Sequence, residues 1–174
     1  MNVHEILDRR SIIKNSILFF GIFLLTMSGC NQRVDIKAAR TESKKVVNQM
    51  IQAIETEDMD LFAKITAHDA DMVNFGTDAA ERWVGWDSLK ESVAKQFASF
   101  EKTKLTVKDQ VINVDPAGNV AWFSEVVDWD VVAQGQPTHI EGSRITGVLE
   151  KRDGNWVIVQ FHISVPVSNQ AVKY

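Results

Sequence analysis

The chain is short of the residues that several chemistries require. It holds one cysteine, Cys30, so no intramolecular disulfide ties the fold and no thiol is left in the body of the chain for catalysis. No lysine–arginine cluster lies beyond the N-terminus and the formal net charge is −4, so the electrostatic footprint of nucleic-acid binding is missing. No apolar run reaches the ~20 residues that a membrane-spanning helix needs. A phosphate-binding glycine loop, a dinucleotide fingerprint and a nucleophile elbow are all missing. His68, Asp69 and Asp71 form a cluster of metal-ligand type, but no second histidine stands at ligand spacing. Neither a metal nor a cofactor is expected.

The N-terminus, by contrast, is rich in one pattern. Arg9, Arg10 and Lys14 precede an apolar run over 17–25, followed by small residues and Cys30. A positive region, a short apolar region and small residues at a cleavage point define a secretory signal. Leu25-Thr26-Met27-Ser28-Gly29-Cys30 resembles a bacterial lipobox, with Met27 where leucine is usual. The resemblance implies that Cys30 is lipidated and becomes the mature N-terminus. Asn31 is not the aspartate associated with inner-membrane retention, which implies an outer-membrane destination in a two-membraned bacterium. The chain then divides into a signal peptide over 1–29, a tether over 30–37, one folded domain over 38–168 and a tail over 169–174.

Within the domain, Ala39, Val46, Met50, Ile51 and Ile54 recur at helical spacing and predict a long amphipathic helix over 36–55. A second helix is expected over 59–67 with Asp58 as its N-cap, and a third from Ser88 to about Phe100 capped by Asp87. Residues 72–75 read as a short strand and 76–85 as irregular. Three long strands are expected over 104–114, 120–132 and 138–151, and a fourth over 156–165. This is an α+β pattern: three N-terminal helices packed on a strongly bent antiparallel sheet. A strand such as 120–132 would measure ~43 Å if straight, so the sheet must curl into a cone with room for a pocket.

The last hairpin sets the faces. With Arg152-Asp153-Gly154 as a three-residue loop, Arg144 falls opposite His162 and Gly147 opposite Val159. Ser143, Ile145, Gly147, Leu149, Val157, Val159, Phe161 and Ile163 then share a buried face. Arg144, Thr146, Trp156, Gln160, His162 and Ser164 share a polar one.

The element order, Trp83-Val84-Gly85-Trp86-Asp87 before the third helix, and the ending RDGNWVIVQFHISVP resemble the nuclear transport factor 2-like superfamily, most closely its SnoaL-like branch. The ending is also similar to the association domain of calcium/calmodulin-dependent protein kinase II. The resemblance implies a cone-shaped fold, and it specifies function poorly, because the superfamily holds isomerases, cyclases, dehydratases, hydrolases and many non-enzymes. The association domain points arginines into its cavity at positions that fall here on Gly147 and Ile163, so an anionic ligand is disfavoured.

Several candidates for a site follow. Trp122, Ser124 and Asp128 share one face of a strand and are the preferred pocket stripe, with Glu125 on the opposite face. Either carboxylate could be a buried general base. Gly147 is expected to keep the cavity open beside Phe161 and Ile163. Asp78 and Trp83 would lie near the mouth, as ligand contacts or as a turn residue and a core residue. Arg144 and His162 form either an acid–base cluster or part of a polar dimer face anchored by Trp156. The leading reading is a lipid-anchored, homodimeric envelope protein that binds a small, largely apolar molecule without catalysis. Two others remain: a cofactor-independent isomerase, cyclase or dehydratase, and a structural dimerisation module.

Overall fold

Asp35 opens the first helix by accepting a hydrogen bond from the Ala38 amide at 2.9 Å. In the computed structural model, which describes residues 34–168 and residue 172, this helix is α1 (Ile36–Glu55). It buries Ala39, Val47, Met50 and Ile54 along one stripe, the face that the spacing predicts. Asp58 caps α2 (Met59–Ile65) through the Leu61 amide at 2.9 Å. Two short strands follow, β1 (Val73–Phe75) and β2 (Arg82–Val84), the second inside the segment expected to be irregular.

Helix α3 (Trp86–Ser99) starts earlier than expected, and Asp87 does not cap it. Gly85 holds the cap position at φ 78°, and its amide donates to the Met72 carbonyl at 2.8 Å. A Cβ at Gly85 would lie 2.8 Å from the Ala70 carbonyl oxygen, so the tight crossing of backbone selects glycine there. Asp87 instead sits in the first turn, where a carboxylate faces the positive end of the helix dipole.

The long strands are β3 (Phe100–Val114), β4 (Val120–Ala133), β5 (Gln136–Arg152) and β6 (Asn155–Ser164). Sheet order is β2-β1-β6-β5-β4-β3. Every pairing is antiparallel except β1 with β6, so the sheet is mixed rather than wholly antiparallel. Register shifts interrupt β3–β4 at Glu101/Lys104 and Lys108/Val111, and β4–β5 at Val127/Trp129. Lys102, Asp109 and Gly142, all at positive φ, sit in these irregularities. Bulges bend and twist a strand, and here they curl strands that are too long to stay flat.

The closing hairpin differs from its expected register. Asp153 and Gly154 both have positive φ, 50° and 81°, the signature of a two-residue type I′ turn, and Arg152 pairs with Asn155. A further shift at Val148/Leu149 leaves Val159 as an extra residue on β6. Before the bulge the pairing is displaced by one residue, which inverts the expected faces, and beyond it by two, which restores them. Phe161 is therefore buried as expected, while Trp156 and Ile158 are buried and Val157 turns away. Trp156 lies on the helix side of the sheet, 5% exposed, and its indole N–H donates to the Glu42 carboxylate of α1 at 3.2 Å. It is not an anchor on the outer face. Thr146, not Arg144, stands opposite His162, and Arg144 pairs with Ser164.

Candidate functional site

Beneath α3 the sheet and helices leave a gap. Val93, Gln96 and Phe97 of α3 and Phe100 at the start of β3 recur at helical spacing and line it from above. Trp83 of β2, Trp129 of β4 and Ile163 of β6 line it from the sheet. The gap has two lobes that share Trp83, Gln96, Phe100, Trp129 and Ile163. The inner lobe, about 40 Å³, reaches Met50 and Ile54 of α1, Phe62 of α2 and Phe161. The outer lobe, about 150 Å³, reaches Ser143 and the β1–β2 loop at Gly76, Thr77 and Glu81.

That loop is built to turn one carboxylate inward. Asp78 accepts from the amides of Ala80 and Glu81, at 2.7 and 3.1 Å, which closes a tight turn. Glu81 immediately precedes β2, two residues before Trp83, and both line the outer lobe. Its carboxylate accepts from the Thr77 hydroxyl at 2.9 Å and the Thr77 amide, and the Gln96 amide group approaches at 3.4 Å. A Cβ on Gly76 would collide with this carboxylate and, at 2.6 Å, with the Trp83 ring. Among the described residues, no lysine, arginine or histidine lines either lobe.

Three of the expected site residues meet here: Trp83, Phe161 and Ile163. Asp78 stays in its turn, exposed, and does not line the cavity. Trp122 and Ser124 face the other way. Odd-numbered residues of β4 point inward (Ala121, Phe123, Glu125, Val127), whereas Trp122 is 46% exposed on the outer face. Gly147 does not hold the cavity open. Its cross-strand partner Phe123 folds over it, so an added Cβ would lie 2.5 Å from the Phe123 ring and 2.6 Å from the Gln160 carbonyl oxygen. Arg144 and His162 are exposed on the outer face, where His162 meets the Phe75 ring edge at 5.7 Å. Cys30 lies outside the described residues.

The two carboxylates of β4 part company as well. Asp128 forms an ion pair with Lys108 and accepts from the Gly142 amide at 3.0 Å, which together hold its carboxyl below the ordinary value. Glu125 is 2% exposed, and burial pushes its carboxyl up. The Gln110 amide donates to one of its oxygens at 2.8 Å, and the other has no partner. Glu125 is absent from the lining of both lobes. His68 and Asp69 are occupied elsewhere: His68 stacks on Trp86 at 4.1 Å, and Asp69 takes a two-pronged ion pair from Arg152 at 2.7 and 2.8 Å. A larger concavity, about 690 Å³, runs beside the β5–β6 turn between Lys45, Lys64 and Asn155. Its charged rim does not suit an apolar molecule.

Sequence reasoning missed Glu81, Gln96 and Trp129. Alternation alone links Glu81 to Trp83, but only once β2 is recognised as a strand.

Three helices on one side of a curled six-stranded sheet, with a ring-sized cavity beneath the third, define the cone-shaped α+β class. Residues 44–168 match the SnoaL-like domain, and the chain belongs to that family. Among solved structures it is similar to a nuclear transport factor 2-like superfamily protein from Salmonella enterica serovar Typhimurium, at 21% identity and TM-score 0.70, over 79% of this chain and 99% of that one. A Xanthomonas campestris protein named for the calcium/calmodulin-dependent protein kinase II association domain matches at 20% identity and TM-score 0.61, over 72% and 86%. A Streptomyces avermitilis protein named as a candidate dehydratase of the nuclear transport factor 2-like family matches at 13% and 0.68, over 76% and 99%. At these identities the likeness is one of fold.

Proposed function

We propose that this protein is a lipid-anchored envelope protein whose domain binds a small, largely apolar molecule under α3 without transforming it. The observation that carries the reading is the cavity lining: among the described residues it is mainly aromatic and aliphatic, with one carboxylate, Glu81, and no second ionisable group. Acid–base catalysis by an isomerase or dehydratase route needs a titratable group within reach of the bound molecule, commonly with a second to return the proton. Glu125 has the raised carboxyl that such chemistry uses, yet it stands outside the lining and has no charged partner among the causes of its shift. The neighbour named as a candidate dehydratase shares only the fold and lends no residue to the catalytic alternative.

Anchoring rests on the place of Cys30 after Ser28-Gly29, and an outer-membrane address on Asn31. Self-association through the bare sheet face rests on its exposed apolar side chains, Trp122 and Val111 among them.

Titration of the purified protein with cyclohexanol tests the binding reading by calorimetry. Ile163→Trp, which fills the space shared by both lobes, is expected to abolish the heat of binding in a protein that still melts cooperatively. Undiminished binding in that variant would put the molecule elsewhere. Cys30→Ser is expected to move the protein from the membrane pellet to the soluble fraction. An unchanged pellet with an uncleaved precursor would point to a signal anchor.

A further inference from the structure

Size and charge narrow the ligand. An apolar cavity of about 150 Å³ is the size that admits benzene, so the outer lobe holds one six-membered ring and the small inner lobe accepts a short substituent. The polar end of the site is equally selective. Among the described residues Glu81 is the one charged side chain in the lining, and three local features turn it inward: the missing side chain at Gly76, the Thr77 donors and Gln96. Its hydrogen bonds involve neutral donors, so its charge is not cancelled by a cation in the loop. Trp83, Phe100 and Trp129 present aromatic surface to the same lobe. A carboxylate beside several aromatic rings attracts an ammonium group by direct charge and by the negative ring faces. It repels a carboxylate.

We infer that the cavity selects a single-ring organic amine in its ammonium form, with the ring under α3 and the ammonium at Glu81. This rests on the cavity reading above and adds the chemical class of the ligand. The selectivity has a structural reason in this chain. Ile163 lines both lobes with an apolar side chain, and the charge that reaches the cavity comes from the β1–β2 loop, through Glu81.

Three isosteric probes separate the possibilities: benzylammonium, benzyl alcohol and benzoate, titrated at neutral pH into the full-length protein in non-ionic detergent, with protein-free micelles as the blank. Benzylammonium is expected to bind about tenfold more tightly than benzyl alcohol, and benzoate more weakly than both. Glu81→Gln retains the acceptor for the Thr77 donors, and it should bring the benzylammonium affinity to within about twofold of benzyl alcohol while leaving the alcohol unchanged. Ile163→Trp should abolish binding of all three. Benzyl alcohol or benzoate binding as tightly as benzylammonium, or a preference that Glu81→Gln leaves intact, would overturn the amine assignment and leave the cavity reading standing. Failure of all three probes to bind the wild type would overturn both.

Discussion

The two faces of one sheet carry two tryptophans with opposite fates. Trp156 on the inner face is 5% exposed, packed under α1 with its N–H on Glu42, and the Lys151 ammonium lies 5.8 Å from its ring centroid. Trp122 on the outer face is 46% exposed and borders an open groove of about 380 Å³. The carboxylates of β4 repeat the contrast. Glu125, pointing in, has its carboxyl pushed up by burial, while Asp128, held between Lys108 and the Gly142 amide, has its carboxyl pulled down. Position on the sheet, not residue type, decides what each side chain does. The inner face sets the stability of the domain and houses its cavity. The outer face contributes little to either and leaves Trp122 and Val111 in water.

The sharpest way to break that comparison is to remove the inner tryptophan. Trp156→Ala should cost about 3–5 kcal/mol, the range for truncating a buried aromatic. The described residues 34–168 belong to one compact unit, so chemical denaturation of the isolated domain (residues 31–174) can read the loss. A variant that kept its stability and changed only its oligomeric state would return Trp156 to the outer face. Gly147→Leu comes next, at about 1–3 kcal/mol from overpacking. The Phe123 ring can swing aside, but the Gln160 carbonyl oxygen is backbone and cannot. The cavity should keep its affinity for a bound ring, because Gly147 does not line it. A stable Gly147→Leu protein with a filled cavity would overturn that placement.

Much of the fold is legible in the sequence where period and capping agree. The bounds of α1, the Asp58 cap and the cores of the four long strands are examples. The parity of the last hairpin is not legible, for a physical reason. Trp156-Val157-Ile158-Val159 is apolar at every position, so alternation cannot say which residues point inward, and a bulge at Val159 leaves no mark in such a run. The same ambiguity in Ala121-Trp122-Phe123 inverted the expected pocket stripe. Phe123 is inside because it covers Gly147, a fact of tertiary packing. Trp83 was legible as a site residue because a large aromatic in a loop segment asks for a partner. Glu81 was not, since its role depends on a short strand with no periodic signal.

A gentler probe of the inner face is the buried carboxylate of Glu125. With the Glu125 carboxyl raised above its ordinary 4.5, the folded state holds more protons than the unfolded state between that value and the raised one. Stability contributed by the neutral acid is therefore fully present below pH 4.5 and is lost as pH climbs through the folded value. Asp128 runs the other way: its carboxyl lies below 3.8, so its contribution is present above 3.8 and is lost as pH falls through the folded value. Glu125→Gln keeps an acceptor for Gln110 and removes the charge. The variant should match the wild type in acid and exceed it by an amount on the order of 1 kcal/mol near pH 8, read from denaturant midpoints across the range. A wild type whose stability did not fall more steeply than the variant's above about pH 5 would mean that solvent reaches the carboxylate after all.

The smallest change in stability belongs to the outer face, and there the readout is assembly. Trp122 pairs with Val148 on β5 and with Asn113 on β3, and the 51%-exposed Val111 shares its groove, which also takes in Thr146 and Gln160. Aromatic and aliphatic surface ringed by neutral hydrogen-bonding groups is the composition of an interface core with a polar rim. A two-fold axis across this face would set each Trp122 against the groove of the other copy, as an isologous contact requires. Trp122→Asp should change the unfolding free energy of the monomer by no more than about 0.5 kcal/mol, because the side chain is already half in water. It should nevertheless move the soluble domain from dimer to monomer in sedimentation, since two buried carboxylates would face each other across the axis. A monomeric wild-type domain, or a Trp122→Asp domain that stays dimeric, would take self-association away from this face and leave the sheet bare for a different partner.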